Sequence, residues 1–555
     1  VTAVRAAVAA AQIDGPRIRM YGRSGSFGAL GSATSTPSGD GIATAGVRGW
    51  GFMPGQAAYF PVVAPDGTVI IANEPQTDDQ LRPTARQMVI STFAPSTGRF
   101  ANVVVPTSTG KTTLAGPWAT PSLLVGGADV SDIGVIAGPQ GPQVSFTSAM
   151  PFWGWRAGQG GEFPTLGVLR PRGGTWAVDA RRSAYASTIA TGARKRARAR
   201  RAAARAAGRR SAPQRRIVAA ARTAAEACVL RRYPTTGTYG DCRMPAEFDQ
   251  LPRSGALAVA QYGFDDPARP SGRITMLSTG GQVLASLPYP AVRAPSGAPI
   301  RVHPREVVAD PLGRPGDERF VVVFDVEDDQ GRSGVAPSPG VLQEFRFDAA
   351  SASVVATSAP IRTGDAWGGQ PLGVEIARYT ADGTLWVGQS VIGTLQAGPL
   401  AIYRRGAGAR GVLGDRPGCT AGSSAAASWG AACAPDDRVG EAAALGIARS
   451  LDEVPQSGLM VLTTMSGFVL PIRRPAPDVA PIAGRPIDLG LDQLVDRTQL
   501  RIGPRKAAFD PARGSLWIPI QQLATERTCA TWPCPPQALD QWLAEVDLRG
   551  LGDPR

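Results

Sequence analysis

One plan of alternating strands and turns returns about seven times along this chain of 555 residues. Each unit runs strand, turn, strand, polar loop, strand, hairpin turn, strand. The first turn is Pro65-Asp66-Gly67 before Thr68-Val69-Ile70-Ile71 and Ala381-Asp382-Gly383 before Thr384-Leu385-Trp386-Val387. It returns as Pro511-Ala512-Arg513-Gly514 before Ser515-Leu516-Trp517-Ile518. Asp-Gly between β-rich runs marks a hairpin, because glycine takes the left-handed backbone at no steric cost. The second turn is Ser96-Thr97-Gly98, echoed by Ser278-Thr279-Gly280, and weaker units cover 118–180, 300–360 and 440–473. A third phrase marks the loop between the second and third strands. It occurs as Asp78-Asp79-Gln80-Leu81-Arg82, Asp265-Asp266-Pro267-Ala268-Arg269 and Asp328-Asp329-Gln330-Gly331-Arg332.

Four-stranded units at a period of roughly 45 to 65 residues predict an all-β fold, a β-propeller of about seven four-stranded blades. The propeller is expected over 17–555, with 1–16 as an N-terminal extension. Strands at Arg17–Tyr21 and Trp542–Leu548 are expected to pair within one shared blade, closing the ring and removing its exposed edge. The turn phrases resemble the bacterial extracellular propeller repeats of the NHL, YVTN and SMP-30 type over most of the chain. That resemblance implies a propeller and no particular activity.

Residues 181–232 break the plan. They hold 16 Lys and Arg against one acid, Glu226, so this insertion carries +15 of a chain that totals +13, and the remainder sums to −2. Their Ala and Arg density predicts two basic helices, about 183–209 and 213–232. Ser211 would cap the second, Pro213 would sit in its first turn, and Ile217, Ala221, Ala224 and Cys228 would form one stripe. Arg194, Lys195, Arg196, Arg198, Arg200 and Arg201 form its densest run and suit a polyanion. No aromatic lies between Tyr185 and Tyr233, so bases have nothing to stack on and sequence-specific nucleic-acid binding is not expected. The competing reading is a solvated helical hairpin resting on the acidic loops.

The six cysteines fall into local couples, Cys228–Cys242, Cys419–Cys433 and Cys529–Cys534, and none forms a C-x-x-C. Local couples in polar or Gly/Ala-rich stretches predict three short-range disulfides and an oxidising, extracellular or cell-envelope compartment. Closing a loop of ~15 residues contributes roughly 3 kcal/mol in the chain-entropy model. The opening Val1-to-Gln12 stretch, with Arg5 and an alanine run, is shorter than a full signal peptide and stands as a signal remnant or a start-site artefact. No apolar run approaches the ~20 residues of a transmembrane helix. Lysine occurs only at 111, 195 and 506, and asparagine only at 73 and 102, the mark of high-GC bacterial coding.

Propeller topology sends second-to-third-strand loops and blade-to-blade connections to one face. Asp78, Asp79 and Arg82, Asp265, Asp266 and Arg269, and Asp328, Asp329 and Arg332 are therefore expected beside the basic insertion and the cysteine couples, as binding residues. Two chemistries compete for them. In one, each arginine folds back onto its aspartate pair as a charge-assisted turn. In the other, the carboxylates hold a hard cation. Ca²⁺ is the one ion they suit, with Asp325, Glu327 and Asp329 the nearest approach to a calcium loop, lacking its sixth-position Gly and twelfth-position Glu. No other cofactor is expected. His303 is the sole histidine, which excludes any site built on two, and it is placed on an inner strand of the fourth blade. Gly110-Lys111-Thr112 lacks the leading glycine and following helix of a phosphate loop, and Gly406-x-Gly408-x-x-Gly411 reads as a hairpin tip.

The function expected is a secreted or cell-surface propeller that binds an anionic envelope polymer or a protein through a disulfide-stapled loop face. The alternative is a carboxylate-dependent glycan hydrolase or lyase at the channel mouth, with Asp265, Asp266, Glu327, Asp328 and His303 as candidates. A third possibility is a structural module of a surface assembly.

Overall fold

Leu459–Thr464 is buried along its whole length, as is the run Val321-Val322-Val323-Phe324. Strands like these have no wet face. They need a sheet covered on both sides, and that is where the computed structural model places them. It describes residues 18–22, 25–27, 57–74, 90–106, 112–114, 130–148, 165–184 without 174, six positions between 192 and 202, 229–233 and 237–241. It further describes 245–261, 272–289, 292–293, 299–300, 302–326, 340–362, 373–391, 396–404, 408–413, 448–473 without 456 and 465–466, 482–489 without 485, 501–523 without 505, and 541–551 without 550.

The described residues form seven blades of mainly antiparallel sheet, laid down in chain order from inside to outside except for the outermost strands of blades 2 and 7. The inner strands are Ala57–Val63, Val130–Gly138, Pro245–Gln250, Val302–Ala309, Gly373–Tyr379 and Ala448–Val454 for blades 1 to 6. In blade 7 the inner position is shared by Arg501–Pro504 and Ala508–Asp510, both paired with Ser515–Leu523. Each inner strand packs against the inner strands of its neighbours, so the seven form a ring. Apolar side chains fill the gaps between blades. Blades 1 and 2 share Ile70, Ile133, Phe146 and Trp176, while blades 3 and 4 share Ile274, Met276, Phe320 and Phe345. Phe146 lies across Gly167, its cross-strand partner, where any Cβ would overlap the ring.

The two chain ends close the ring, as expected. Ile18–Gly22 pairs antiparallel with Gln541–Asp547, from Ile18↔Val546 to Gly22↔Trp542, and so becomes an outer strand of blade 7. Tyr21 donates a hydrogen bond from its hydroxyl to Glu545 Oε2 at 3.0 Å. Burial, then the Glu545 charge, push the Tyr21 hydroxyl up to about 12. The Asp-Gly turns explain themselves. Asp66 Oδ1 accepts from Thr68 N, Asp382 Oδ1 accepts from Thr384 N, and Gly67 and Gly383 hold φ of 80° and 77°.

The structure corrects two expectations. The expected second helix, 213–232, ends in a strand: Val229–Tyr233 pairs with Gly237–Asp241 as a two-stranded hairpin. Its last residues, Val229-Leu230-Arg231-Arg232-Tyr233, carry the β-branched and aromatic side chains that suit a pleated surface better than a helix. Of the remaining helical hairpin, Gly192, Lys195, Arg198, Ala199, Arg201 and Ala202 have helical backbone, too few to define two helices. Blade 2 also exceeds four strands. Val104–Pro106 runs parallel to its outer strand Thr175–Val178, and Thr112–Leu114 extends the sheet further.

Candidate functional site: the channel and the long-connection rim

The turns between first and second strands touch from blade to blade. Gln250, ahead of the blade 3 turn, accepts from Ala137 N and donates to Ala137 O, beside the blade 2 turn. Glu318 Oε1 of blade 4 accepts from Arg253 N and Ser254 N in the blade 3 turn, at 2.6 and 3.0 Å. Glu453 of blade 6 accepts from Ala381 N in the blade 5 turn at 2.8 Å. These short turns therefore share one rim. Antiparallel alternation sends the second-to-third-strand and blade-to-blade connections to the other rim. From it leave the segments 75–89, 179–228, 262–272, 327–340, 414–447 and 524–540.

Those segments carry most of the binding residues expected from sequence. Asp78, Asp79, Arg82, Asp265, Asp266, Arg269, Glu327, Asp328, Asp329 and Arg332 lie outside the described residues, as do all six cysteines. Of the basic run, Lys195, Arg198 and Arg201 are described and exposed, while Arg194, Arg196 and Arg200 are not described. His303 stands on the inner strand of blade 4, in register opposite Asp325, at the end of the strands nearer the long-connection rim. The side chains of both lie outside the described residues.

What the sequence did not single out lies in the channel. Lys506, on blade 7, places Nζ 3.4 Å from Glu247 Oε2 on blade 3 and 3.8 Å from Glu306 Oε1 on blade 4. Blades 3 and 4 are the two furthest from blade 7 around a seven-membered ring, so these contacts cross the axis. Asp132 on blade 2 adds a third carboxylate close enough to act on the lysine charge. Asp249 on blade 3, Arg378 on blade 5 and Asp452 on blade 6 extend the cluster. Only blade 1, whose inner strand is Ala57-Ala58-Tyr59-Phe60-Pro61-Val62-Val63, adds no acid or base from that strand. Protein surrounds the cluster, yet 27% of the Lys506 side chain stays open to the channel.

The carboxylates also stitch blade to blade. Asp132 Oδ2 accepts from Phe248 N, Asp249 Oδ2 from Ala309 N, and Glu306 Oε2 from Ala377 N, each reaching the next blade in the ring. Five acids around two cations in a partly dehydrated space cannot all hold their charge cheaply. Burial raises Asp132, Asp249 and Glu247, the last well above the usual carboxylate range with Asp132 and Glu306 adding to the rise. Burial takes Glu306 to about 7 and Asp452 to about 6, with Lys506 and Arg378 opposing. For Lys506 burial acts downward and is outweighed by Glu247, Glu306 and Asp132, so the ammonium is held charged. Among the described residues no group of His, Cys, Asp or Glu is arranged to hold a metal ion.

Neither a family model nor a curated protein matches the sequence. Among solved structures it is similar to Chaetomium thermophilum Raptor, at 10% identity and a TM-score of 0.39, over 89% of this chain and 28% of that one. It is also similar to the Dos1 propeller, at 8% identity and a TM-score of 0.39, over 90% of this chain and 94% of that one.

Proposed function

We propose that this protein is a binding module whose ligand docks on the long-connection rim. One observation carries this reading: the two rims are unequal. One is built of short turns tied together by side-chain-to-backbone hydrogen bonds. The opposite one receives the long segments, among them an insertion of +15 on a chain otherwise near neutral. Loops on a rigid scaffold are where recognition resides. The ligand class that fits is an anionic polymer of a cell envelope, met by the basic run Arg194–Arg201. The test is titration with long-chain polyphosphate at two salt concentrations. Replacing Arg194, Lys195, Arg196, Arg198, Arg200 and Arg201 by Gln should weaken binding at least tenfold and flatten its salt dependence, because fewer counterions are exchanged. Unchanged affinity and salt response would remove the polyanion reading.

The same reading places the protein outside the cell or in the envelope, with Cys228–Cys242, Cys419–Cys433 and Cys529–Cys534 as staples of that rim. Thiol counting on the denatured, unreduced protein is expected to find no free thiol, and six would exclude the staples. Ca²⁺ at Asp325, Glu327 and Asp329 stays a subordinate proposal. A carboxylate-dependent glycan hydrolase or lyase is the second reading. It has one support: Glu306 and Asp452 titrate near neutral pH, where a general acid works. Glu306 is already committed to Lys506 and to Ala377 N, so binding stands first.

A further inference from the structure

The channel cluster is not needed to explain ligand binding on the rim, and it is expensive to keep. Replacing buried charges by apolar side chains of similar volume is often neutral or stabilising. Its cation is also an outlier in composition, one of three lysines in a chain with 58 Lys and Arg. An ammonium is a compact point charge with three donors, able to face several carboxylates at once, where the planar guanidinium favours one bidentate partner. Its position is the informative part. Lys506 belongs to the blade that the chain ends complete, and it spans the channel to the blades opposite.

We propose that the Lys506-centred cluster is a clasp across the channel, which holds the closing seventh blade to blades 2, 3 and 4 and grips hardest where the carboxylates facing the lysine are ionised. Blade 7 is held at its outer edge by the Ile18–Gly22 strand, at its flanks by apolar packing on blades 1 and 6, and across the channel by Lys506. Facing Lys506 are Glu247 from blade 3, Glu306 from blade 4, Asp132 from blade 2 and Asp452 from blade 6, with Asp249 from blade 3 and Arg378 from blade 5 beside them in the cluster. Asp452 carries one buried oxygen with no hydrogen-bond donor. Arg449 and Glu453 share its strand, and Glu453 is turned toward Ala381 N.

The sign of the pH dependence follows from linkage. Glu306 and Asp452 bind protons more tightly folded than unfolded. Their contribution to stability is complete below the ordinary carboxylate range and is lost as pH rises through about 6 for Asp452 and about 7 for Glu306. Lys506 is also raised, so its contribution persists through neutral pH and is lost only in strong alkali. The folded chain therefore gains stability in mild acid from these two carboxylates, while the Lys506 contacts themselves contribute most at neutral pH, where their carboxylates are ionised.

The experiment compares the full chain with Lys506→Met at about pH 5.5 and about pH 8, by thermal unfolding and by amide exchange corrected for intrinsic rate. Lys506→Met should lower the melting temperature by several degrees more at the higher pH, where the carboxylates have lost their partner while ionised. Exchange in Ile18–Gly22 and Gln541–Asp547 should accelerate roughly tenfold there, with the outer strands of blades 4 and 5, Ser353–Ala356 and Gly408–Leu413, unaffected. An equal loss at both pH values, or acceleration spread evenly over all blades, would overturn the clasp. Should Lys506→Met fail to fold, Glu306→Gln keeps the shape and removes a titration, and it should flatten the pH profile between those values. An unflattened profile overturns the proposal equally.

Discussion

Deleting residues 18–27 is expected to open the ring and expose the Gln541–Asp547 strand as an unpaired edge. The deleted segment buries Ile18 and Met20 almost fully and Tyr21 to 8% exposure, and it pairs with the C-terminal strand at five consecutive positions. Full burial of a large apolar side chain contributes about 1.5–3 kcal/mol. Removing Ile18, Met20 and Tyr21 together costs a sum comparable with the ~5–15 kcal/mol net stability of ordinary proteins. Glu545, 6% exposed, loses the Tyr21 hydroxyl and the nearby Arg19, keeping Ser515 and Arg513. The deleted chain should melt far earlier and associate through the bared edge. Calorimetry with light scattering measures both. Adding a peptide of residues 17–27 should restore part of the loss, since pairing in a sheet does not need a covalent join. An unchanged melting temperature would mean that blade 7 closes by some other means.

Trp517→Ala should be the most damaging single apolar substitution at the same junction. Trp517 is fully buried between the last and first blades, with Phe93 of blade 1 at 5.5 Å and Tyr21 at 6.0 Å between ring centroids. Truncating a buried Trp to Ala typically costs about 3–5 kcal/mol, because the surrounding sheet relaxes only partly into the cavity. Trp517→Phe should cost much less than its lost volume suggests. The indole nitrogen has no hydrogen-bond acceptor in its pocket, so the substitution also removes a buried, unsatisfied donor. Urea unfolding of the three proteins checks the order. If Phe proves as costly as Ala, the nitrogen has a partner and the junction is packed differently.

The turns were legible because their chemistry is local. Asp66 and Asp382 bond to amides two residues away, and Gly67 and Gly383 need the left-handed backbone wherever that turn occurs. The alternating strands were legible for the same reason, and the expected pairing of the two chain ends followed from counting strands. The strand at Val229–Tyr233 was missed because the alanine-rich pattern before it was carried four residues too far. The rim's asymmetry was legible too, since strand alternation alone assigns each connection to a face.

The channel cluster was not. Asp132, Glu247, Asp249, Glu306, Arg378, Asp452 and Lys506 are spread over the inner segments of six blades, and in sequence each resembles the polar half of an alternating strand that faces water. The faint signal was Lys506, a lysine in a chain that writes nearly every cation as arginine. The sequence by itself determined the repeating unit, its turns and the shared closing blade, because each rests on contacts between near neighbours or on strand parity. Only the tertiary structure decided that charges hundreds of residues apart meet on one axis. That meeting depends on all seven blades curving through a full circle, a property of the closed ring that no segment contains.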